Sequence, residues 1–251
     1  MRYSVCLPAV FNGMDPVEAM RRVKKLGFEA VEFWSWWDAD LDAIARARQE
    51  LGLTITTFCT KFVSMTDKSK RQLYLEGLKE SIDAAKKCGV KMLITQVGND
   101  TGKSWEQQMR NVLEGCKAAV PILENADITL LVEPLNIKVD HKGYFLSMSS
   151  DGFALIQDVG SPRVKLLYDI YHQQITEGNL IPTIIKNIGD IGHFHAAGHP
   201  GRHELDTGEI NYPNVFRAIL EAGYQGYVGL EYFPVREPEE GLRALAEGGK
   251  K

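Results

Sequence analysis

Short apolar runs alternate along the whole chain with longer amphipathic segments, and this alternation is the main structural signal in the sequence. The apolar runs are rich in Val, Ile, Leu and aromatic residues, which favour β-strands. Eight such strands are predicted: Arg2–Cys6, Ala30–Trp34, Thr54–Phe58, Lys91–Thr95, Thr129–Glu133, Lys165–Asp169, Ile191–His195 and Tyr227–Glu231. Strands that alternate with helices are typical of βα units on a parallel sheet.

The segments between the runs have helical periodicity, and several are followed by a glycine of the kind that ends helices. Six of the predicted helices are Pro16–Leu26, Leu41–Leu51, Lys70–Cys88, Trp105–Leu123, Pro213–Ala222 and Pro238–Ala246, and the glycines are Gly27, Gly52, Gly89 and Gly223. Eight βα units that close on themselves predict an α/β fold, a single (β/α)8 TIM barrel that spans residues 1–251 as one domain. An open doubly wound sheet would give similar local patterns and is the structural alternative.

Composition limits the classes of partner. The 251 residues carry a formal net charge of only −4, with 25% charged residues, which argues against a nucleic-acid partner and favours a small molecule. No apolar run reaches the roughly 18 residues of a membrane span, and the start reads as a strand rather than a signal peptide. We therefore expect no membrane partner and a cytoplasmic location. Four widely spaced cysteines without a C-x-x-C pair argue against a zinc ribbon or a disulfide scaffold.

Four consecutive predicted strands end in side chains that can bind metals. They are Glu133, Asp169, His195 and Glu231. Because a TIM barrel assembles its active site at the carboxyl ends of its strands, these side chains are expected to converge. Three carboxylates and one imidazole suit a single divalent ion such as Mg²⁺, Mn²⁺ or Co²⁺ better than a structural zinc. His193 alternates with His195 on the same strand, so either could meet the metal, and we favour His195 because it lies nearer the carboxyl end.

Several other residues are candidates for substrate binding. His172 follows Asp169 by three residues, and Arg202 lies in a Gly- and Pro-rich loop; both can bond substrate oxygens. Trp34, with Trp36 and Trp37, follows the second strand and can wall a pocket. The two long connections, Pro134–Ser149 and Ala196–Tyr212, are of a length that usually carries function.

With these residues in place, the chain resembles the xylose-isomerase-like barrel superfamily, and within it most closely the hydroxypyruvate isomerase family. The matching segments lie in the second half of the chain: Glu133–Asn136, Gly143–Leu146, Lys165–Leu180, His199–Phe216 and Tyr227–Pro234. The resemblance implies that Glu133 and Glu231 are the acid/base pair and that Asp169 is a metal ligand. His195 departs from the glutamine often found at this position in hydroxypyruvate isomerases and agrees with the histidine of related ketose 3-epimerases.

The resemblance implies an isomerase that moves a proton beside a carbonyl through an enediolate, with one divalent metal polarising the carbonyl. Our leading hypothesis is conversion of hydroxypyruvate to tartronate semialdehyde, with Arg202, His172 and Lys61 receiving the substrate carboxylate. The alternative is 3-epimerisation of a keto-sugar such as tagatose, psicose or ribulose. Related barrels also act as sugar dehydratases or process C-glycosides, and a non-catalytic sugar-binding barrel is a hypothesis from a different class. A homo-oligomer built on the Pro134–Ser149 loop is a further prediction, which light scattering would test.

Overall fold

Nine parallel strand segments form one sheet in the computed structural model, which describes residues 1–248. Residues 249–251 of the predicted domain lie outside this described part. The segments are β1 (Arg2–Cys6), β2 (Ala30–Glu32), β3 (Thr54–Ile55), β4 (Thr57–Cys59), β5 (Met92–Thr95), β6 (Thr129–Val132), β7 (Val164–Asp169), β8 (Ile191–Ala196) and β9 (Tyr227–Leu230). Their order is β3-β2-β1-β9-β8-β7-β6-β5-β4.

The two ends of this sheet are the halves of one interrupted strand, so the sheet closes into a barrel. β3 pairs with β2 and β4 pairs with β5, and only Thr56 lies between them. The amide of Thr56 donates to Val31 O at 3.0 Å, and that of Cys59 donates to Trp34 O at 2.8 Å. The predicted barrel is thus confirmed, with the difference that its third strand is interrupted at Thr56 and extends to Cys59.

Helices connect successive strands and surround the barrel. Those in the described residues are α1 (Leu7–Val10), α2 (Pro16–Lys25), α3 (Leu41–Leu51), α4 (Arg71–Cys88), α5 (Trp105–Ala126), α6 (Ser149–Val159), α7 (Ile170–Thr176), α8 (Leu180–Asn187), α9 (Tyr212–Glu221) and α10 (Pro238–Gly248). The six helices named from the sequence are all present, with ends within a few residues of those predicted. None of the helices in residues 1–248 is both long and apolar enough to cross a bilayer.

Local sequence signals explain where the helices begin and end. Asp40 caps α3 by accepting a hydrogen bond from Ala43 N at 2.9 Å, and Ser104 caps α5 by accepting one from Gln107 N at 3.3 Å. Gly52 and Gly89 end α3 and α4 in the left-handed conformation, with φ of 60° and 66°. Only glycine adopts this conformation readily, so these two positions stop their helices and turn the chain back to the next strand.

The core consists of two apolar regions with a polar layer beside the smaller one. The larger region lies between the strands and the helices. The smaller lies inside the barrel and contains Cys59, Ile94, Leu131 and Leu167. Other buried interior positions are polar, and they include Ser4, Glu32, Thr56, His193 and His195. A buried polar group costs free energy unless it is paired, so this layer must be stabilised by its own contacts.

Candidate active site

The four predicted metal-binding side chains converge at the carboxyl end of the barrel. Glu133 follows β6 directly, Asp169 ends β7, and Glu231 follows β9. The strand register pairs Asp169 with His195 and His195 with Gly229, which brings the side chains of neighbouring strands to one level. Each of the four offers a ligand atom, and these atoms all lie within 4.8 Å of one another. The four residues are buried.

His195 is oriented by contacts at both ring nitrogens. Its Nδ1 lies 3.2 Å from Glu231 Oε2 and 3.7 Å from Glu133 Oε1. Its Nε2 faces the opposite way and lies 2.9 Å from Glu32 Oε1. The structure thus places His195 with the three carboxylates, while His193 Nε2 contacts Glu32 Oε2 at 3.0 Å.

Glu32 was missed by our reasoning from the sequence. Its carboxylate is buried beneath the site, contacts both histidines, and accepts a hydrogen bond from Thr56 Oγ1 at 3.0 Å. The sequence does contain a signal for it, since Glu32 is a single carboxylate inside the apolar run Ala30–Trp34. A carboxylate in a buried strand needs a partner. A carboxylate behind a ligand histidine fixes the orientation of the ring in many metal sites.

The residues present fit a divalent metal. His195 Nδ1 is buried and has no hydrogen-bond partner among the described residues, although three carboxylates surround it. Three oxygen ligands and one nitrogen ligand form a set that suits Mg²⁺, Mn²⁺ or Co²⁺. A cation would also offset the mutual repulsion of the carboxylates. Glu133, Asp169, His195 and Glu231 are therefore the group that could hold an ion.

The pKa directions reflect this crowding of charge. Burial, together with Glu231 and Asp169, raises the pKa of Glu133 to about 8. Burial also raises the pKa of Asp169. Burial disfavours the charged form of Glu231 as well, but Arg202 and His195 outweigh it, so the pKa of Glu231 lies well below its usual value. The carboxylates of Glu133 and Glu231 thus have opposite protonation tendencies.

Glu231 is held from two further sides. Trp34 Nε1 donates to Glu231 Oε1 at 2.6 Å, and the guanidinium of Arg202 pairs with Glu231 Oε2. Arg202 also lies 3.5 Å from Asp169 Oδ2. Two of the residues predicted to bind substrate therefore also position a predicted catalytic carboxylate.

Arg202 owes its position to a closely packed loop between β8 and α9. Its backbone is left-handed, with φ of 57°, which is uncommon outside glycine and is often found at functional sites. Its carbonyl accepts a hydrogen bond from Phe233 N at 2.8 Å. Buried Glu204 accepts from Val235 N at 3.2 Å and from Arg236 N at 3.1 Å. The loops that carry Arg202 and Glu231 are thereby fixed to each other.

A cavity of about 430 Å³ opens over three of the four ligand-type side chains, those of Glu133, His195 and Glu231. Its lining combines charged and polar side chains with aromatic and aliphatic ones. The lining residues are Trp34, Cys59, Phe62, Ile94, Gln96, Gly98, Asn99, Glu133, Leu135, His141, Tyr144, His172, His195, Arg202, Glu231 and Phe233. This size is ordinary for a small-molecule site and leaves room beyond a three-carbon acid.

The structure does not bring Lys61 to this cavity. Its ammonium group pairs with Glu80 and lies 5.5 Å from the ring centre of Trp36. Trp36 and Trp37 pack against each other beside the mouth, and only Trp34 of the three tryptophans lines the cavity. Lys61 is consequently not positioned to receive a substrate carboxylate there.

Gly229 is essential to the packing beneath the site, and this gives a prediction. A Cβ at this position would overlap the Glu32 carboxylate and lie 2.6 Å from His195 Cδ2. We expect Gly229→Ala to displace both side chains, to destabilise the fold by about 1–3 kcal/mol, and to weaken metal binding. Thermal unfolding and isothermal titration with Mn²⁺ measure the two effects. Gly189→Ala, where a Cβ meets nothing within 4 Å, is the control; wild-type metal affinity in Gly229→Ala would contradict the role given to Glu32 and His195.

Comparison with known proteins places this geometry among described barrels. A family model for the xylose isomerase-like TIM barrel matches residues 20–250. The chain is 32% identical to hydroxypyruvate isomerase of Escherichia coli (strain K12), over 97% of each protein. It superposes with a TM-score of 0.94 on the crystal structure of AP endonuclease, family 2, from Brucella melitensis, at 31% identity and 98% coverage of both chains. D-psicose 3-epimerase from Clostridium cellulolyticum H10 shares the fold, with a TM-score of 0.85, 17% identity, and coverage of 100% of this chain and 98% of that one.

Proposed function

This chain belongs to the xylose isomerase-like TIM barrel family and is an enzyme of the isomerase or epimerase type. We propose that it is a metal-dependent isomerase of small hydroxy-carbonyl compounds. The observation that carries the proposal is the position of His195 Nδ1 between Glu231 at 3.2 Å and Glu133 at 3.7 Å, with Asp169 beside them. This places two carboxylates of the type needed for proton transfer around one point of the cavity.

Glu133, Asp169, His195 and Glu231 would hold the metal, and we propose Mg²⁺, Mn²⁺ or Co²⁺ for its identity. When bound, a divalent ion supplies polarisation of the substrate carbonyl and stabilises negative charge on the enediolate oxygens. The protein contributes the orientation of the ligands. Glu32 holds the far side of His195, while Trp34 and Arg202 hold Glu231.

Proton transfer is assigned to Glu133 and Glu231. One carboxylate takes the proton from the carbon next to the carbonyl, which produces an enediolate. For isomerisation, the same or the other carboxyl group returns a proton to the former carbonyl carbon, while the hydroxyl proton of the first carbon passes to the former carbonyl oxygen. For epimerisation, the other carboxyl group returns a proton to the opposite face of the original carbon. His172 and Arg202 line the cavity beside these groups and can donate hydrogen bonds to substrate oxygens. The aromatic wall at Trp34, Phe62 and Phe233 limits the access of water to the enediolate.

Hydroxypyruvate is the substrate that we propose first, with tartronate semialdehyde as the product. It is supported by the similarity to the Escherichia coli hydroxypyruvate isomerase along almost the whole chain. It is also supported by Arg202, a cation inside the cavity that can face a carboxylate.

A keto-sugar is the second candidate, and one observation favours it. The cavity of about 430 Å³ exceeds the needs of a three-carbon acid, and its wall carries polar Gln96 and Asn99, which can bond sugar hydroxyls. Metal-loaded protein incubated with hydroxypyruvate and, separately, with fructose, tagatose, psicose or ribulose separates the candidates when products are identified by NMR. Turnover of hydroxypyruvate alone supports the first, a new 3-epimer supports the second, and no turnover of any of them contradicts both.

A nuclease activity, suggested by the name of the similar Brucella protein, has little support from the charges. Among the described residues that line the cavity, Arg202 is the only Lys or Arg, and it pairs with Glu231. The chain as a whole has a formal net charge of −4. Proteins that bind along a DNA backbone need a basic surface to neutralise phosphates.

We propose that the enzyme is located in the cytoplasm. The predicted homo-oligomer stays a prediction, which light scattering would test.

A further inference from the structure

Asn136, in the segment after β6, makes a complete set of hydrogen bonds in the interior. The residue is fully buried. Its Oδ1 accepts from two backbone amides, Val139 N at 2.9 Å and Asp140 N at 3.2 Å. Its Nδ2 lies 2.7 Å from Asp140 Oδ2 and 2.6 Å from His172 Nδ1. Every polar atom of this side chain therefore has a partner.

These partners leave only one orientation for the amide group of Asn136. If the amide were rotated by 180°, its NH₂ group would face the two N–H donors of Val139 and Asp140, and its oxygen would face the carboxylate of Asp140. Both contacts would be repulsive in a buried site. The NH₂ group must accordingly face His172 Nδ1, which can receive the hydrogen bond only as an unprotonated nitrogen.

We propose that Asn136 is a positioning residue that fixes His172 in the tautomer with its proton on Nε2, so that His172 is a hydrogen-bond donor to a substrate oxygen. This inference rests on the proposed function for the identity of the ligand, but not for the tautomer itself. In a neutral histidine, the hydrogen bond made by one ring nitrogen determines the role of the other. Asn136 thus determines that His172 presents a hydrogen-bond donor, and not an acceptor, to the substrate.

His172 Nε2 is placed to use that proton. It is buried, and it has no hydrogen-bond partner among the described residues, with Asp169 Oδ2 3.5 Å away. The rings of His141 and Tyr171 pack edge-on against the imidazole, at centroid distances of 5.2 and 5.4 Å, and hold its plane. Two donors from Asn136 face His172 Nδ1, the side-chain Nδ2 at 2.6 Å and the backbone N at 3.5 Å, so this nitrogen carries no proton and the ring is neutral.

A second unpaired donor in the same cavity supports this assignment. Arg202 Nε is buried and also lacks a hydrogen-bond partner in the described part of the chain. His172 Nε2–H and Arg202 Nε–H are thus two unpaired donors on residues that line the cavity, and donors favour a ligand oxygen with lone pairs, such as a carbonyl, carboxylate or enediolate oxygen. A histidine with its proton on Nδ1 would instead present an acceptor at Nε2 and repel such an oxygen.

The tautomer can be measured in the wild-type protein without substrate. Long-range ¹H–¹⁵N correlation spectra of histidine-labelled protein, with the diamagnetic ion Mg²⁺ added, report each ring nitrogen, and the chain has only six histidines. His172→Gln identifies the signals of His172 by their loss. We expect a pyridine-type shift for Nδ1 and a pyrrole-type shift for Nε2. The reverse pattern, or two pyrrole-type signals, would overturn the proposal whether or not the protein is an active isomerase.

Asn136→Asp tests the cause. It preserves the size of the side chain and the two backbone hydrogen bonds, but replaces the donor at Nδ2 with a carboxylate oxygen that faces both His172 Nδ1 and Asp140 Oδ2. A proton on His172 Nδ1 then gives this oxygen the donor that it needs. We expect the ring proton to move from Nε2 to Nδ1, so that Nδ1 gives a pyrrole-type and Nε2 a pyridine-type signal, and kcat/KM to fall about 10- to 100-fold, as for loss of one hydrogen bond to a charged oxygen. Asn211→Asp, which alters the cap of α9, is the control and should change neither. A folded Asn136→Asp protein whose Nδ1 stays unprotonated would contradict the role of Asn136, and a variant that fails to fold leaves the wild-type spectrum as the deciding measurement.

Discussion

Replacing Glu133 or Glu231 with Gln is expected to reduce turnover by about 10³-fold or more, since an amide can neither take nor return the substrate proton and acid/base groups commonly contribute 10²- to 10⁴-fold. Gln keeps the size of the side chain and one oxygen that can bind a metal. The loss should therefore appear in kcat more than in metal content. Steady-state assays with hydroxypyruvate, together with metal analysis of each variant, measure both quantities.

Glu114→Gln is the matched control for these variants. Glu114 lies on α5, pairs with Arg71 at 2.8 Å, and has a half-exposed side chain that does not line the cavity. Its replacement should leave turnover within twofold of wild type. Turnover within tenfold of wild type in both Glu133→Gln and Glu231→Gln, at full metal content, would show that neither carboxylate transfers the proton.

Removing the metal is expected to abolish activity and to lower the thermal stability of the protein. Three buried carboxylates at one barrel mouth repel each other, and the positive charges of Arg202 and the bound ion offset that repulsion. At a concentration 100 times its Kd, an ion that binds only the folded state stabilises it by about 2.7 kcal/mol. Chelation followed by addition of Mg²⁺, Mn²⁺ or Co²⁺ should lower and then restore both activity and Tm.

Asp169→Asn tests whether the effect of the metal depends on the proposed ligand group. It removes one charge from the metal-binding group, so its Tm should depend less on added ion, and its activity should be restored only at higher ion concentrations. Undiminished activity in protein shown by elemental analysis to contain no metal would contradict a metal-dependent mechanism.

The sequence correctly predicts that the site lies at the carboxyl end of the barrel, because the ends of the strands in a barrel converge. Glu133, Asp169 and Glu231 each close an apolar run, and closure of the sheet is enough to bring them together. The same rule placed Lys61 at the third strand end. The Lys61 side chain instead points away from the cavity and pairs with Glu80 on α4, a partner that no strand pattern could indicate.

The supporting residues were harder to find from sequence. Glu32 is a single carboxylate within a strand, and its two histidine partners lie about 160 residues further along the chain, so only the folded barrel joins them. Asn136 was part of a recognised segment, but its role depends on which of its amide atoms meets which neighbour. The break of the third strand at Thr56 also escaped prediction, because the run from Thr54 to Phe58 has no Gly or Pro to mark it.

Exchange of a carbon-bound proton with solvent tests the central claim most directly. Wild-type protein loaded with Mg²⁺ is incubated in D₂O with hydroxypyruvate and followed by proton NMR, beside Glu133→Gln under the same conditions. An enediolate formed by Glu133 and Glu231 predicts that deuterium enters the substrate carbon as tartronate semialdehyde appears, and that the variant shows neither. Absence both of deuterium and of any isomerised or epimerised product, with hydroxypyruvate and with every keto-sugar tested in the same way and the metal bound, would contradict proton transfer at this site.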